Sequence, residues 1–174
     1  VAAIVENDAP LVEVGMSVPS AEDKAIGSLI ADMIEDGSTL QMGIGALPDA
    51  VCAALFGRKD LGVHTELMTP GLIALMQAGV INNSRKNIHR GKSVFAFAMG
   101  TKADYDFIND NPDFEAYGVD CVNDPAVIAQ NDKVVSVNAT LQIDLFGACC
   151  SEYLNGRQFT ASGGQLDFVR GAVA

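Results

Sequence analysis

Two periodicities alternate along the chain. Ile26, Leu29, Ile30, Met33 and Ile34 recur at helical spacing. Ser20 stands ahead of them as an N-cap with Asp23 three residues on, and Gly37 follows as a stop, so the pattern predicts a helix with that apolar face. Thr39 to Met42 reads as a short strand, Gly43 and Gly45 as a tight loop, and Pro48 marks the start of a second helix. Leu47, Val51, Ala54 and Leu55 line one face of that helix, and Gly57 ends it. The plan then repeats. "LGVHTE" (61–66) predicts a strand, and Thr69-Pro70 opens a helix that runs through Met76 to a terminator at Gly79. "KSVFAFAMG" (92–100) is a continuous apolar run, as in strands buried on both faces. "KADYDFIND" is helix-like, "YGVDCV" (117–122) predicts a strand, and Asp124-Pro125 opens a short helix.

The last third changes period. Val135, Val137, Ala139, Leu141, Ile143 and Leu145 alternate with polar residues, which predicts a strand with one buried face, bent near Asn138. The chain closes on "ASGGQLDFVRGA", glycine-rich and then apolar. At the front, "IVEND" reads as the tail of a strand. Strands alternating with helices predict an α/β fold: a layered, mostly parallel or mixed sheet flanked by helices, with antiparallel pairing added by the alternating segment. No repeat or linker divides residues 1–174, which are expected to form a single α/β domain.

Composition narrows the function. Apolar residues make up 49% and charged residues 19% of 174, a globular balance. A net charge of -11 disfavours nucleic acid as a partner but allows a small anion in a local pocket. No apolar run approaches the ~20 residues that span a bilayer, and "VAAIVENDAP" carries no signal peptide, so a cytoplasmic protein without a membrane partner is expected. The first residue is valine and the last residues are apolar, which suggests a piece of a longer chain or one trimmed at an end. Cys52, Cys121, Cys149 and Cys150 form no C-x-x-C pair and are expected as buried, reduced thiols. With only His64 and His89, no metal site is expected.

Three stretches could carry chemistry. "GIGALP" lies between a strand and a helix, where glycines let backbone N–H groups approach an anion. It lacks both the lysine of a phosphate loop and the third glycine of a dinucleotide fingerprint, so it is as well read as a tight turn. In "SGGQLDF", Gly163 and Gly164 permit close backbone approach to a ligand, or simply a turn. Glu66 stands between the "GVH" strand and the Thr69-Pro70 helix start. There it is either a solvated surface acid or a carboxylate aimed into the crevice at the carboxyl ends of the strands. In the second case it is a base, a nucleophile or, least well supported, a metal ligand.

"LQMGIGALPDAV", "LGVHTEL", "GVINNSRK", "YGVDCVNDP", "IAQNDKVVSVNATLQIDLFG" and "GGQLDFVRGA" together resemble the acetyl-CoA hydrolase/CoA-transferase family, nearest to its 4-hydroxybutyrate and butyrate CoA-transferase group. The resemblance runs from about Pro19 to Ala172. It implies a CoA-transferase-like fold with two related α/β halves and an active site between them. This chain resembles most of the second, carboxy-terminal half, and the missing first half would be its partner. It implies Glu66 as nucleophile, Asn123 as oxyanion-binding asparagine, Gly163 and Gly164 as the loop that contacts the thioester and coenzyme A, and Gly43, Ile44 and Gly45 at the pocket's border. The implied substrates are an acyl-CoA and a short-chain carboxylate such as acetate, butyrate or 4-hydroxybutyrate. No tightly bound cofactor is implied, and a homo-oligomer is expected. "MTPG" after the glutamate and "FGACCSE" further on depart from the usual family pattern and leave the acyl preference open. An acyl-CoA hydrolase at the same site, a non-catalytic CoA-binding fragment, and a nucleotide-binding module using "GIGALP" are the alternatives.

Overall fold

A computed structural model describes residues 3–174. Five parallel strands form its main sheet: Thr39–Met42 (β1), Gly62–Met68 (β2), Ser93–Ala98 (β3), Phe114–Ala116 (β4) and Val134–Val137 (β5). Their order is β4-β3-β2-β1-β5. The chain steps outward from β1 to β4, then returns to lay β5 on the other side of β1. The order therefore reverses between β1 and β5, and in open parallel sheets such a switch point opens a crevice at the strands' carboxyl ends.

Helices cover both faces. Ala21–Met33 (α1), Ala46–Ala54 (α2), Pro70–Gln77 (α3) and Lys102–Ile108 (α4) lie over the main core, which includes Leu40, Val51, Leu55, Val63, Leu72 and Phe95. Val119–Val122 (α5), Pro125–Ile128 (α6) and Gln165–Ala172 (α7) contribute to a smaller cluster of Val94, Val122, Ile128 and Phe168. Helix α1 starts on the predicted capping box: Ser20 Oγ accepts from the Asp23 N–H, and the Asp23 carboxylate accepts from the Ser20 N–H. Its packed face is only part of the predicted one, with Ile30 and Ile34 on the core and Ile26, Leu29 and Met33 off it. Gly27 and Ala31 are buried as well. Small residues win because α1 lies so close to α2 that a Cβ on Gly27 would sit 2.8 Å from the Ala50 carbonyl carbon.

Other expectations also change. "YGVDCV" is not a strand; β4 ends at Ala116, and 119–122 is the helix α5, with Val122 fully buried. The alternation from Val135 to Leu145 is strand only as far as Val137, level with Met42, the last residue of β1. Beyond it no main-sheet neighbour exists. The chain instead forms an arm with two small antiparallel pairings, Gln142–Ile143 (β6) with Cys149–Cys150 (β7) and Tyr153–Leu154 (β8) with Arg157–Gln158 (β9). Leu145 and Phe146 at its turn are fully exposed. "IVEND" forms no strand and is exposed, since no strand lies beside it. Of the four free cysteines only Cys52 is buried, and burial pushes its thiol pKa up to about 12; Cys149 lies exposed on the arm. Among the described residues no helix is long and apolar enough to cross a membrane.

Candidate active site

Strand β2 places Glu66. It runs through to Met68, so Glu66 is inside the strand and not in the loop that follows it. β3 sustains the ladder to Met68, which pairs with Ala98. On the other side, β1 pairs through Thr39 with Gly62 and Leu40 with Val63, and it stops at Met42. Glu66 therefore lies just past the end of β1, where β2 outruns its neighbour and the switch-point crevice opens. Alternation along the strand puts His64 and Glu66 on one face and Val63 and Thr65 on the other.

Glu66 separates two clefts. The first, of about 390 Å³, is bordered by Gly43 and Ile44, by Gln41 and Asn138, and by Gly163 and Gly164. The second, of about 560 Å³, is bordered by Asp120, Asn123 and Asp124 and again by Gly163. Glu66 lines both. Asn123 is the C-cap residue of α5, its N–H bonded to the Val119 carbonyl at 2.9 Å. Gly164 is the N-cap of α7, and the first N–H groups of a helix have no acceptor within it. The chain thus brings a carboxylate, a side-chain amide and a helix N-terminus to one place.

The closeness of that approach is set by Gly164, which is buried. A Cβ there would overlap Glu66 Oε2 and lie 2.5 Å from Asn123 Nδ2. Carboxylate and amide hence flank the same point above the Gly164 backbone. Among the described residues Asn123 Oδ1 is buried without a partner. Gly45, by contrast, does not border the Glu66 clefts. It lines a separate pocket with Asp49 and Met16, and its φ of 119° fits a glycine at the turn into α2.

Three residues at the site escaped the sequence reading. Gln41 and Asn138 form a half-buried polar knot with Ser136: Gln41 Oε1 accepts from Ser136 Oγ at 2.6 Å and from Asn138 Nδ2 at 3.0 Å, and Gln41 Nε2 donates to Asn138 Oδ1 at 3.2 Å. A glutamine between Leu40 and Met42 in a predicted strand is the sequence signal that could have found it. The third is His64, 1% exposed, whose Nε2 lies 2.8 Å from the Val122 carbonyl oxygen. A carbonyl can only accept, so Nε2 carries the proton. Burial, reinforced by the Lys86 charge, holds the pKa of His64 down at about 4 and keeps the ring neutral.

Residues 100–174 match the model of the acetyl-CoA hydrolase/transferase C-terminal domain, a stretch that contains Asn123, Gly163 and Gly164 and begins after Glu66. The chain is 50% identical over 169 residues to the succinyl-CoA:cyclohexane-1-carboxylate CoA transferase of Geobacter metallireducens, a match covering 97% of this chain and 39% of the relative. It is 51% identical, with the same coverage, to the 4-hydroxybutyrate coenzyme A transferase of Clostridium kluyveri. Its structure superposes on the crystal structure of RipA from Yersinia pestis with a TM-score of 0.91 at 56% identity, covering 98% of this chain and 39% of RipA. The chain thus spans about two fifths of the length of these relatives. Residues 100–174 thus match the acetyl-CoA hydrolase/transferase C-terminal domain, and along nearly its whole length the chain is similar in sequence to these CoA transferases and in fold to RipA.

Proposed function

We propose that the protein carrying this chain transfers coenzyme A between an acyl-CoA thioester and a short-chain carboxylic acid, and that this domain supplies the nucleophile, Glu66. The observation that carries the reading is the convergence of the Glu66 carboxylate and the Asn123 amide over Gly164, at the seam between two clefts. A carboxylate with open space on both sides can be approached by an acyl-thioester from one and by an acid from the other.

The chemistry follows from that placement. The Glu66 carboxylate attacks the thioester carbonyl; the carbon–sulfur bond breaks, leaving a mixed anhydride and the CoA thiolate. The thiolate attacks the glutamyl carbonyl of the anhydride, giving a glutamyl-CoA thioester and releasing the first acid as its carboxylate. A second carboxylate then attacks the glutamyl thioester, and the same two steps run in reverse to yield the new acyl-CoA and free Glu66. Each attack builds negative charge on an oxygen. Asn123 Nδ2 and the N–H groups at the start of α7 are the donors in reach. One such donor typically lowers a barrier by roughly 3 kcal/mol. Both sit on packed elements, α5 against β2 and β3 and α7 against α6 and β5.

The names of the relatives support the same class: succinate, cyclohexane-1-carboxylate and 4-hydroxybutyrate are all carboxylic acids carried as CoA thioesters. In the longer protein, the part beyond this domain would close the clefts and exclude water. Acyl-CoA hydrolysis is the same chemistry with water attacking the glutamyl thioester. Steady-state kinetics of the complete protein test the proposal. Parallel double-reciprocal lines for acyl-CoA and acid, abolished in Glu66→Gln with the fold retained, are the expected result. Converging lines, or a Glu66→Gln variant that still transfers, contradict it.

A further inference from the structure

His64 has no part in the chemistry above, yet it touches both elements that complete the site. Its Nε2–H bonds the Val122 carbonyl 58 residues away, at the last residue of α5, immediately before Asn123. Its ring meets Phe168 of α7 edge-on at 6.1 Å between centroids. It also shares a strand face with Glu66, two residues on. One side chain therefore links the strand of the proposed nucleophile to the helix that carries the amide and to the helix that carries Gly164.

We infer that His64 is a positioning residue for the proposed transfer: its bond to the Val122 carbonyl holds the end of α5 where Asn123 Nδ2 faces the Glu66 carboxylate. The inference rests on the functional reading above. Two observations favour it over a histidine that merely fills the core. First, α5 has only four residues, and a single helical turn does not hold itself in place. Its end is fixed by the buried Val122 side chain and by this bond. Second, among the described residues His64 Nδ1 is buried with no partner, a desolvation cost that an apolar side chain would avoid. The fold carries that cost at the position that tethers α5.

The test uses the complete protein and two substitutions of similar polarity. In His64→Gln the side-chain nitrogen has nearly the reach of Nε2 and can donate to Val122. In His64→Asn it has the reach of Nδ1 and cannot. His64→Asn is expected to lower kcat on the order of 10-fold or more while KM for acyl-CoA stays within about 2-fold, a loss typical of misplaced catalytic groups. His64→Gln is expected to recover most of that loss. In an Asn123→Ala background, His64→Asn should cost less than about 3-fold further, because coupled residues are not additive. Backbone hydrogen exchange over residues 119–124 gives a readout without turnover: faster in His64→Asn, restored in His64→Gln. Equal impairment of the two variants, losses that multiply in the Asn123→Ala background, or unchanged exchange in His64→Asn would each overturn the positioning role. A wild-type protein that turns over no acyl-CoA would instead overturn the functional reading, and the exchange result would still decide the role of His64 in holding α5.

Discussion

Replacing Gly164 with alanine separates the needs of the fold from those of the site. Gly164 has φ -90° and ψ 3°, a conformation open to any residue, so the substitution strains no backbone. Losing glycine's freedom in the unfolded chain contributes roughly 0.4–1 kcal/mol in favour of folding. The new Cβ, however, falls on Glu66 Oε2 and 2.5 Å from Asn123 Nδ2. Carbon and polar heavy atoms without a bond between them rest near ~3.5 Å, so carboxylate and amide must each withdraw by about an ångström. Both are ends of side chains and can do so while the backbone stays. A misplacement of about 1 Å at reacting groups costs on the order of 100-fold in rate. Gly164→Ala in the complete protein is therefore expected to lower kcat/KM by about that factor, with the thermal midpoint within about 3 °C of wild type. Initial rates across acyl-CoA concentrations and a thermal melt of the same samples measure both. Turnover within a few-fold of wild type would refute the placement of Glu66 and Asn123. A loss of rate that tracks a loss of folded protein would refute the claim that Gly164 serves the site.

Gly27→Ala should behave in the opposite way: its Cβ meets the backbone of Ala50 at 2.8 Å, so α1 and α2 must part, costing roughly 1–3 kcal/mol of stability in denaturant titrations, with the rate per folded molecule unchanged. Stability should also fall with acid. His64 is neutral in the folded state down to about pH 4, but in the unfolded chain it takes up a proton below about pH 6.5. The unfolded state binds more protons between those values, so stability present above pH 6.5 is lost as pH falls toward 4, by roughly 3 kcal/mol at 1.36 kcal/mol per unit. Chemical denaturation at pH 7 and pH 4.5 should show a smaller drop in His64→Gln, and equal drops would refute the assignment. Gln41→Leu should cost about 1–3 kcal/mol by leaving Ser136 and Asn138 without their shared partner, measurable by the same titration.

The sequence carried the local signals well. The Ser20–Asp23 box, the Thr69-Pro70 helix start and the strands at 39–42 and 93–98 fall where their residues predict, because each is decided within a few neighbouring positions. It failed where the decision is tertiary. Val119, Cys121 and Val122 favour a strand by propensity, but the sheet edge beyond β3 is taken by 114–116, and the following residues turn into α5. Alternation from Val135 to Leu145 reports which way side chains would point in a strand, not whether a neighbour strand exists, and past Val137 none does in the main sheet. Helix α1 shows the same limit: its larger apolar residues were legible, but which stripe packs was set by the close approach of α2 at Gly27. At the site, Glu66 could be singled out from its place near the carboxyl end of a strand, although β2 runs two residues past it. The distance from His64 to Val122 could not, since nothing local links residues 58 apart.

The central claim is that Glu66 becomes covalently bonded to coenzyme A during turnover. The direct measurement is to incubate the complete protein with an acyl-CoA in the absence of a second acid, reduce with borohydride, digest, and map the modified peptide by mass. The Glu66 side chain is expected to be reduced to an alcohol in the peptide "LGVHTELMTPG", dependent on acyl-CoA and absent in Glu66→Gln. An unmodified Glu66 with turnover intact, or a modification on the exposed Cys149 or on Cys150 instead, would contradict it.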